Sequence, residues 1–370
     1  MIQIKKVFGI KKQVVQSKQE PEITFIVAAY NEKDCIENKI LNSLALNYPK
    51  EKLSYIFVTD GSDDGTNAIV AKYPQITLLH QAERKGKSAA LNRAMQITKS
   101  PITVFSDANT FLNKNALTYL VKHYTDPVIG GVSGEKKIKT GTILNNTGIG
   151  ENAYWKYESL LKQLETSFHS LAGSAGELFS IRTALYKPFP EQIILDDFYT
   201  ALKINEQGFK IVYEPMAVAI ESPSSSLKEE KKRKVRIAAG AFQLLFTFTN
   251  LLNIFKYPAF AFQFISHKLL RWTLAPVCIV TLFGTNFFLK NERIVYDYFF
   301  YVQVFFYLFS FIGWILYKLK KITTIFYYPF YFLFMNYCNV AGLYNYVTGK
   351  QKVLWEKSKR QSAIFNIDGE

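Results

Sequence analysis

Short β-branched runs alternate with segments of helical periodicity in the first part of the chain. We predict strands at ITFIVAA (23–29), SYIFVT (54–59), ITLL (76–79) and ITVFS (102–106). CIENKILNSLAL (35–46) between the first two has apolar residues at helical spacing, and GKSAALNRAMQI (86–97) repeats that pattern. Strands that alternate with helices indicate βαβ units, so the sequence predicts an α/β fold with a mostly parallel sheet.

Polar clusters follow three of these strands, at the edge where such sheets bind their ligands. The clusters are YNE (30–32), TDGSDDGT (59–66) and SDANT (106–110). Each has a structural alternative, because Asp and Asn close turns and acidic residues cap helices. The stretch RKGKSAALNRA (84–94) is likewise either a helix N-terminus that favours an anion or a solvated basic turn.

Two charged motifs lie further along the chain. ILDDF (194–198) places two acids at the head of an amphipathic segment, where acids also suit the first turn of any helix. RKVRI (233–237) places two arginines before an uncharged stretch, where they could equally form a membrane-surface patch. Taken singly, neither motif decides between function and structure.

The last third of the chain contains long stretches without charged residues. These stretches are 272–289, 298–317 and 322–349, and a helix needs roughly 20 mainly apolar residues to cross a bilayer. We predict two membrane spans from the first two stretches. The third holds Pro329, Asn336, Asn339 and Asn345, so a span, a re-entrant path and an interfacial path stay open. For residues 227–271 we predict amphipathic helices that lie in the membrane interface.

The chain of 370 residues has 45 Lys and Arg against 30 Asp and Glu, a net charge of +15. Much of this positive charge flanks the apolar stretches, which favours a membrane surface over nucleic acid as the partner. The positive-inside rule places 228–236 and KLKK (318–321) in the cytoplasm. The start of the chain has no continuous apolar run, so we expect neither a signal peptide nor an N-terminal anchor. The three cysteines, Cys35, Cys278 and Cys338, show no metal or disulfide spacing.

The ordered set of motifs resembles glycosyltransferase family 2, specifically the membrane-bound members related to cellulose, chitin and hyaluronan synthases. AAYNE is similar to the family's opening motif, TDGSDDGT to its nucleotide-binding motif and KGKSAALN to its Gly-Lys turn. DAN occupies the Asp-x-Asp position, LDDF the Thr/Ser-Glu-Asp position and RKVRI the Gln-x-x-Arg-Trp position. The resemblance covers about residues 22–272.

The resemblance implies a GT-A fold, which is Rossmann-like, together with a nucleotide-sugar donor, most often UDP-linked, and a divalent metal, Mg²⁺ or Mn²⁺. It implies that the nucleotide sugar is bound by Tyr30, Glu32, Asp60, Lys87 and Asp107. It implies that Asp107 and Asn109 hold the metal and that Asp197 is the general base. It implies that the acceptor and the diphosphate lie near Gly176, Asp196, Arg233 and Arg236.

Three positions depart from the family pattern. Thr59 replaces its first Asp, Asn109 its second metal acid and Ile237 the Trp that would stack on an acceptor sugar, a role that Trp272 could take over. Because an Asn side chain still offers a carbonyl oxygen, we interpret DAN as a modified metal site. The missing Trp weakens the case for processive polymerisation more than the case for sugar transfer.

The resemblance predicts a chain in five parts. These are a basic N-terminal segment (1–21), a GT-A domain (22–226), interfacial helices (227–271), a transmembrane region of two to three spans (272–349) and a basic tail (350–370). We expect a multi-pass protein of the cell membrane with its catalytic domain in the cytoplasm.

Three functions fit this reading of the chain. The first is inverting transfer of a sugar from a nucleotide-sugar donor to a growing polysaccharide. The second is transfer of a single sugar to a lipid carrier, and the third is a non-catalytic subunit that binds nucleotide sugar within a synthase. The expected partners are the donor, a glycan or lipid-linked acceptor, membrane lipids and possible synthase subunits, but no nucleic acid.

Overall fold

The computed structural model of the protein describes residues 20–139, 146–190, 192–319, 321 and 323–352. Its strands are β1 (Ile23–Ala29), β2 (Leu53–Asp60), β3 (Ile76–Gln81), β4 (Ile102–Asp107), β5 (Thr110–Leu112), β6 (Ile129–Ile138), β7 (Leu178–Arg182) and β8 (Lys210–Glu221). The predicted segment 1–21 and the predicted tail 350–370 lie almost entirely outside the described residues.

The strands form one mixed sheet in the order β3-β2-β1-β4-β7-β6-β8-β5. Strands β3, β2, β1 and β4 run parallel, with Phe25 opposite both Tyr55 and Val104. Strand β7 pairs antiparallel with β4 and β6, and β8 runs parallel to β6 and antiparallel to β5. The carboxyl ends of β1, β2 and β4 therefore meet at one edge, as the alternation of strands and helices predicts.

The helices of the first two thirds of the chain cover both faces of this sheet. They are α1 (Lys33–Leu44), α2 (Thr66–Val70), α3 (Lys87–Ile97), α4 (Ala116–Val121), α5 (Asn146–Phe168) and α6 (Asp196–Glu206). Phe25 and Val27 of β1 share a buried cluster with Ile36 and Ile40 of α1. Ile26, which points to the opposite face, belongs to the cluster that contains α3 and α6. Because both faces are covered, the strands read as nearly continuous apolar runs.

The remaining helices are α7 (Leu227–Thr247), α8 (Pro258–Gln263), α9 (Leu270–Phe288), α10 (Ile294–Lys318) and α11 (Thr324–Val347), and a π-helical turn at Phe264–Leu269 joins α8 to α9. Helix α7 packs between the sheet domain and α11. A Cβ added at Gly240 would meet Ile194 and Leu195, and one at Gly342 of α11 would lie 2.8 Å from the amide nitrogen of Ala239.

Two helical segments among the described residues are long and apolar enough to cross a membrane, Pro258–Phe288 and Ile294–Lys318. Their apolar side chains are largely exposed, with Val280 71% and Phe305 58% accessible. Helix α11, the third uncharged stretch, instead packs along α7, and its Tyr331 hydroxyl donates to Glu230 Oε1 at 2.5 Å.

Candidate active site

A cavity of about 1990 Å³ opens at the carboxyl ends of β1, β2 and β4 and continues between α5, α7, α9 and α11. The structure brings all of the site residues predicted from the sequence to its wall. They are Tyr30, Glu32, Asp60, Lys87, Asp107, Asn109, Gly176, Asp196, Asp197, Arg233 and Arg236. Residues of β1, β2 and β4 line the cavity together with the arginines of α7.

Asp60, at the end of β2, organises the turn that precedes α3. One carboxylate oxygen accepts hydrogen bonds from the backbone amides of Gly86 at 2.6 Å and Lys85 at 3.1 Å, and the other lies 3.3 Å from Arg93 Nη2. Gly86 has a φ of 95°, which residues with a Cβ rarely adopt. The turn therefore depends on both Asp60 and Gly86, and it directs the first residue of α3 into the cavity.

The loop after β1 forms the neighbouring wall. The Arg84 guanidinium lies 3.7 Å from the centre of the Tyr30 ring. The backbone amide of Glu32 donates to Thr66 Oγ1 at 2.9 Å, and Asn31 exchanges hydrogen bonds with Asp63. The YNE and DGSDDGT motifs are thus joined side by side by hydrogen bonds.

Lys87, the first residue of α3, connects two acids that are far apart in sequence. Its ammonium lies 2.8 Å from Asp107 Oδ1 and 3.2 Å from Asp196 Oδ2. Burial alone lowers the pKa of Lys87, but the two carboxylates outweigh it and hold that pKa above its ordinary value. Lys87 therefore remains charged and links the DAN and LDDF motifs.

The DAN turn lies against a second group of charges. Asn109 Nδ2 is 3.5 Å from Glu221 Oε1, and Glu221 Oε2 lies 2.5 Å from the ammonium of Lys136, a residue of β6. Lys136 also pairs with Glu177. Burial raises the pKa of Glu177, but the Lys136 ammonium outweighs it and lowers that pKa to about 2. Among the described residues, no group of three or more His, Cys, Asp and Glu side chains is arranged to hold a metal ion.

Helix α1 contacts the residues on both sides of the DAN turn. The fully buried ammonium of Lys39 donates to Ser106 Oγ at 2.7 Å and to the Thr110 carbonyl at 2.8 Å. Asn42 exchanges two hydrogen bonds with the backbone of Leu112. These contacts fix the backbone on both sides of residues 107–109, since an unpaired buried polar group is costly.

The two acids of LDDF start α6 and have different surroundings. Asp196 pairs with Lys87, whereas Asp197 accepts a hydrogen bond from the Phe198 amide at 2.8 Å and lies beside Gly176. A Cβ at Gly176 would lie 3.2 Å from Asp197 Oδ2, so the glycine provides the space that the carboxylate occupies. Burial and then the Asp196 charge raise the pKa of Asp197 to about 7. A carboxylate with that pKa is suited to accept a proton near neutral pH.

The cavity wall beside the LDDF motif is aromatic and basic. Arg236 donates to the carbonyl of Ile194 at 2.9 Å, just before the LDDF motif. Trp272 packs edge-on against Phe198, with ring centres 6.0 Å apart, and lines the cavity, as does Ile237. Trp272 thus places an aromatic ring in the cavity wall that also contains Ile237, the residue that replaces the Trp of the family motif.

Other cavity-lining residues were not found from the sequence. Glu177 directly follows the segment GSAG (173–176), which contains Gly176, and Glu158 and Glu165 of α5 pair with Arg271 and His267. Thr59, by contrast, is fully buried and its Oγ1 lies 2.8 Å from His80 Nδ1. Thr59, which stands where the family pattern has an Asp, therefore faces the protein interior and not the cavity.

The family model described as "Glycosyltransferase like family 2" matches residues 21–240, more than half of the chain. The chain belongs to this family. The family resemblance and the glycosyltransferase class predicted from the motifs are therefore confirmed. The two acids, the lysine and the glycine turns described above all lie within the matched region.

Individual relatives agree with this assignment. The poly-beta-1,6-N-acetyl-D-glucosamine synthase of Staphylococcus aureus (strain MSSA476) is 27% identical over 266 residues, which are 69% of this chain and 63% of that protein. The synthase of the same name from Staphylococcus epidermidis is 23% identical over 278 residues, 72% of this chain and 66% of that protein. The chain thus spans slightly less than two thirds of the length of either relative.

A solved structure shows the same fold. The mannosyltransferase PcManGT from Pyrobaculum calidifontis, in complex with GDP-Man and Mn²⁺, aligns with a TM-score of 0.69 and 21% identity over 94% of both chains. At this identity the likeness concerns the fold alone. It confirms the predicted α/β, GT-A architecture with helices after the sheet domain.

Proposed function

We propose that this chain transfers a sugar from a nucleotide-sugar donor to a hydroxyl group of an acceptor, with inversion at the anomeric carbon and Asp197 as the base. The observation that carries the proposal is the pairing at the head of α6. Asp196 is bound by Lys87, while Asp197, beside Gly176, has a pKa of about 7. A base that is mostly ionised just above neutral pH removes the acceptor proton as the oxygen attacks.

The donor end of the cavity suits a nucleotide and its diphosphate. In the proposal Tyr30, Glu32 and Asp60 line the nucleotide pocket, and Asp60 acts mainly by holding the Lys85–Gly86 turn. Lys87 stands at the N-terminus of α3, where backbone amides and the helix dipole favour negative charge. A diphosphate at this position would share the lysine with Asp107 and Asp196.

The residues around the DAN turn fit a divalent cation that arrives with the diphosphate. Asp107 offers a carboxylate, and the Asn109 amide donates its nitrogen hydrogen to Glu221, so its oxygen is the atom that remains for a cation. Mg²⁺ typically takes one or two carboxylates together with substrate phosphates. We propose that Asp107 and Asn109 hold Mg²⁺ or Mn²⁺. When bound, the ion would neutralise charge on the leaving diphosphate.

The acceptor end is assigned by its position beyond Asp197. Gly176, Arg233 and Arg236 line this part of the cavity, and the hydrogen bond from Arg236 holds the carbonyl of Ile194, the residue that precedes LDDF. Asp196 keeps Lys87 in place and does not take the proton. Ser174 supports the arrangement, since its hydroxyl donates to the Asp197 carbonyl at 2.9 Å.

The names of the relatives suggest the substrate. We propose N-acetylglucosamine as the transferred sugar and a growing polysaccharide as the acceptor, because the staphylococcal relatives are named poly-beta-1,6-N-acetyl-D-glucosamine synthases. We propose a UDP-linked donor because the family resemblance implies one. We further propose that the predicted span 272–289, which begins within the segment Pro258–Phe288, and the segment Ile294–Lys318 cross the cell membrane and that the sheet domain lies in the cytoplasm. Other synthase subunits and membrane lipids are then the expected partners.

The test is a transfer assay with a panel of donors. Membranes that contain the full chain are incubated with radiolabelled UDP-N-acetylglucosamine, UDP-glucose or GDP-mannose, and the products are separated by size. Membranes with Asp197→Asn are the matched control. We expect a polymer from UDP-N-acetylglucosamine that the variant reduces by about 10²–10⁴-fold in rate.

The other outcomes identify the alternatives. A product of one sugar that partitions into organic solvent would indicate a lipid carrier as the acceptor. Donor binding without transfer from any of the three donors would indicate a non-catalytic subunit. Equal transfer by the wild type and Asp197→Asn would contradict the assignment of the base.

A further inference from the structure

The cavity is larger than a donor requires. Pockets for small molecules are typically about 300–1,000 Å³, whereas this cavity has about 1990 Å³. Its lining includes one face of helix α5, which the family motifs do not include. This wall therefore has room for a second ligand next to the proposed base.

One face of α5 forms this wall. Trp155, Glu158, Lys162 and Glu165 are spaced three or four residues apart and all line the cavity, so they form a stripe on a single helix face. The two acids are engaged: Glu158 lies 2.5 Å from Arg271 Nη1, and Glu165 pairs with His267. These two contacts hold α5 against the π-helical turn and α9.

The other two members of the stripe have donors without acceptors. Trp155 Nε1 and Lys162 Nζ are both buried, and neither has a hydrogen-bond partner among the residues that the structure describes. The whole Lys162 residue is only 7% accessible. A buried donor left unpaired costs about 1–3 kcal/mol, so a ligand that offers oxygen atoms here would remove this cost.

The surroundings favour a neutral ligand over an anion. The Lys136 ammonium lies 4.6 Å and the Lys162 ammonium 5.8 Å from the centre of the Trp155 ring. Three carboxylates, however, line the same part of the cavity: Glu158, Glu177 and Glu221. Their charges are matched by those of Arg271, Lys136 and Lys162, so this part of the wall has no surplus positive charge to hold a phosphate group, whereas the neutral hydroxyl and carbonyl oxygens of a saccharide need only the two hydrogen-bond donors.

Resting on the proposed function, we infer that the face of α5 is a subsite for the acceptor saccharide. The Trp155 indole and the Lys162 ammonium donate hydrogen bonds to its oxygens and position its terminal hydroxyl toward Asp197. Trp272, edge-on to Phe198, forms another aromatic part of the wall. This subsite lies on a different helix from the arginines of RKVRI.

The experiment measures saccharide binding separately from transfer. The full chain in detergent is titrated with a pentasaccharide of β-1,6-linked N-acetylglucosamine and, separately, with UDP, both by calorimetry. The variants are Trp155→Phe, which removes the indole N–H together with the five-membered ring but keeps an aromatic side chain, Lys162→Met, which keeps the aliphatic stem, and Lys162→Arg, which keeps a charged donor. Lys156→Met, on the exposed side of the same helix, is the matched control.

We expect Trp155→Phe and Lys162→Met to weaken pentasaccharide binding about 5- to 100-fold, as the loss of one hydrogen bond predicts. Lys162→Arg and the Lys156 control should bind nearly as well as the wild type. UDP binding should be unchanged in all four variants, because the groups that Trp155 and Lys162 contact, those of Lys136, Lys234 and Tyr213, are not assigned to the donor. Retained UDP binding also shows that each variant is folded.

Three results would overturn the inference. In the first, Trp155→Phe and Lys162→Met both bind the pentasaccharide as tightly as the wild type does. In the second, the wild type does not bind the pentasaccharide. In the third, a polyprenyl phosphate displaces the pentasaccharide from the wild type but not from Lys162→Met. The last result would identify an anion site. Because binding is measured without a donor sugar, a wild type that binds the pentasaccharide but transfers nothing would contradict only the proposed function.

Discussion

The pH dependence of transfer tests the proposed base directly. Burial and the neighbouring Asp196 charge raise the pKa of Asp197 to about 7. Only the ionised form accepts the acceptor proton, so the rate should fall about tenfold for each pH unit below about 7 and level off above it. A carboxyl group with an ordinary pKa would show no such fall until about pH 4.

The informative perturbation is Asp196→Asn. It removes the like charge beside Asp197, and it leaves the Lys87 ammonium to balance Asp107 alone. Both changes favour the ionised form of Asp197, so its pKa should fall. A nearby charge typically shifts a pKa by about 1–3 units, and the smallest of these shifts, one unit, corresponds to about 1.4 kcal/mol. The ratio of the rates at pH 6 and pH 8 should then rise from about 0.1 to about 0.5.

The assay is the initial transfer rate between pH 5 and pH 9 at saturating UDP-N-acetylglucosamine, in parallel membrane preparations of wild type and variant. Glu51→Gln, an exposed carboxylate outside the cavity, is the control for the loss of one negative charge. Asp196→Asn should lower the plateau rate less than Asp197→Asn does. Two results would refute the reasoning. The first is a transfer rate that falls at the same pH in Asp196→Asn as in the wild type, or at a higher pH. The second is a wild-type rate that stays constant down to pH 5.

Further predictions concern the donor, the metal, the topology and the packing of the helices. Lys87→Met leaves two carboxylates without their cation and should weaken UDP binding about 10- to 100-fold by calorimetry, as the loss of charged hydrogen bonds predicts; unchanged affinity would contradict the assigned diphosphate contact. Asp107→Ala should abolish the dependence of UDP binding on Mg²⁺ or Mn²⁺, whereas Asn109→Asp should preserve it, so a metal dependence that persists in Asp107→Ala would contradict the assigned ligand. A cysteine at Leu319, in a variant without the native cysteines, should react with an impermeant thiol reagent only in opened cells; labelling of intact cells would reverse the orientation. Gly342→Ala places a Cβ against the α7 backbone and should lower the midpoint of thermal unfolding by several degrees, equivalent to about 1–3 kcal/mol, while an unchanged midpoint would show that α11 is not tightly packed on α7.

The amino-acid sequence alone determined the local elements and the edge of the sheet that carries the site. The short, nearly continuous apolar run ITFIVAA and the helical spacing in CIENKILNSLAL predict β1 and α1, because a strand covered on both faces and a helix covered on one face bury these side chains. The predicted elements agree with the structure to within about two residues at their ends. The family motifs identified the residues of the cavity wall because each motif is a short continuous segment.

Tertiary structure alone decided how those segments act together. Lys87, Asp107 and Asp196 are separated by up to 109 residues in sequence (196 − 87), and no local pattern shows that one ammonium joins two carboxylates. The pKa of Asp197 depends in the same way on burial, which only the packed chain creates. Trp155 and Lys162 were not identified from the sequence. Only the packed structure shows that Glu158 and Glu165 pair with Arg271 and His267, whereas Trp155 Nε1 and Lys162 Nζ of the same helix face have no hydrogen-bond partner among the described residues. Local propensity fixes elements, whereas long-range packing sets which charges meet and which remain unpaired.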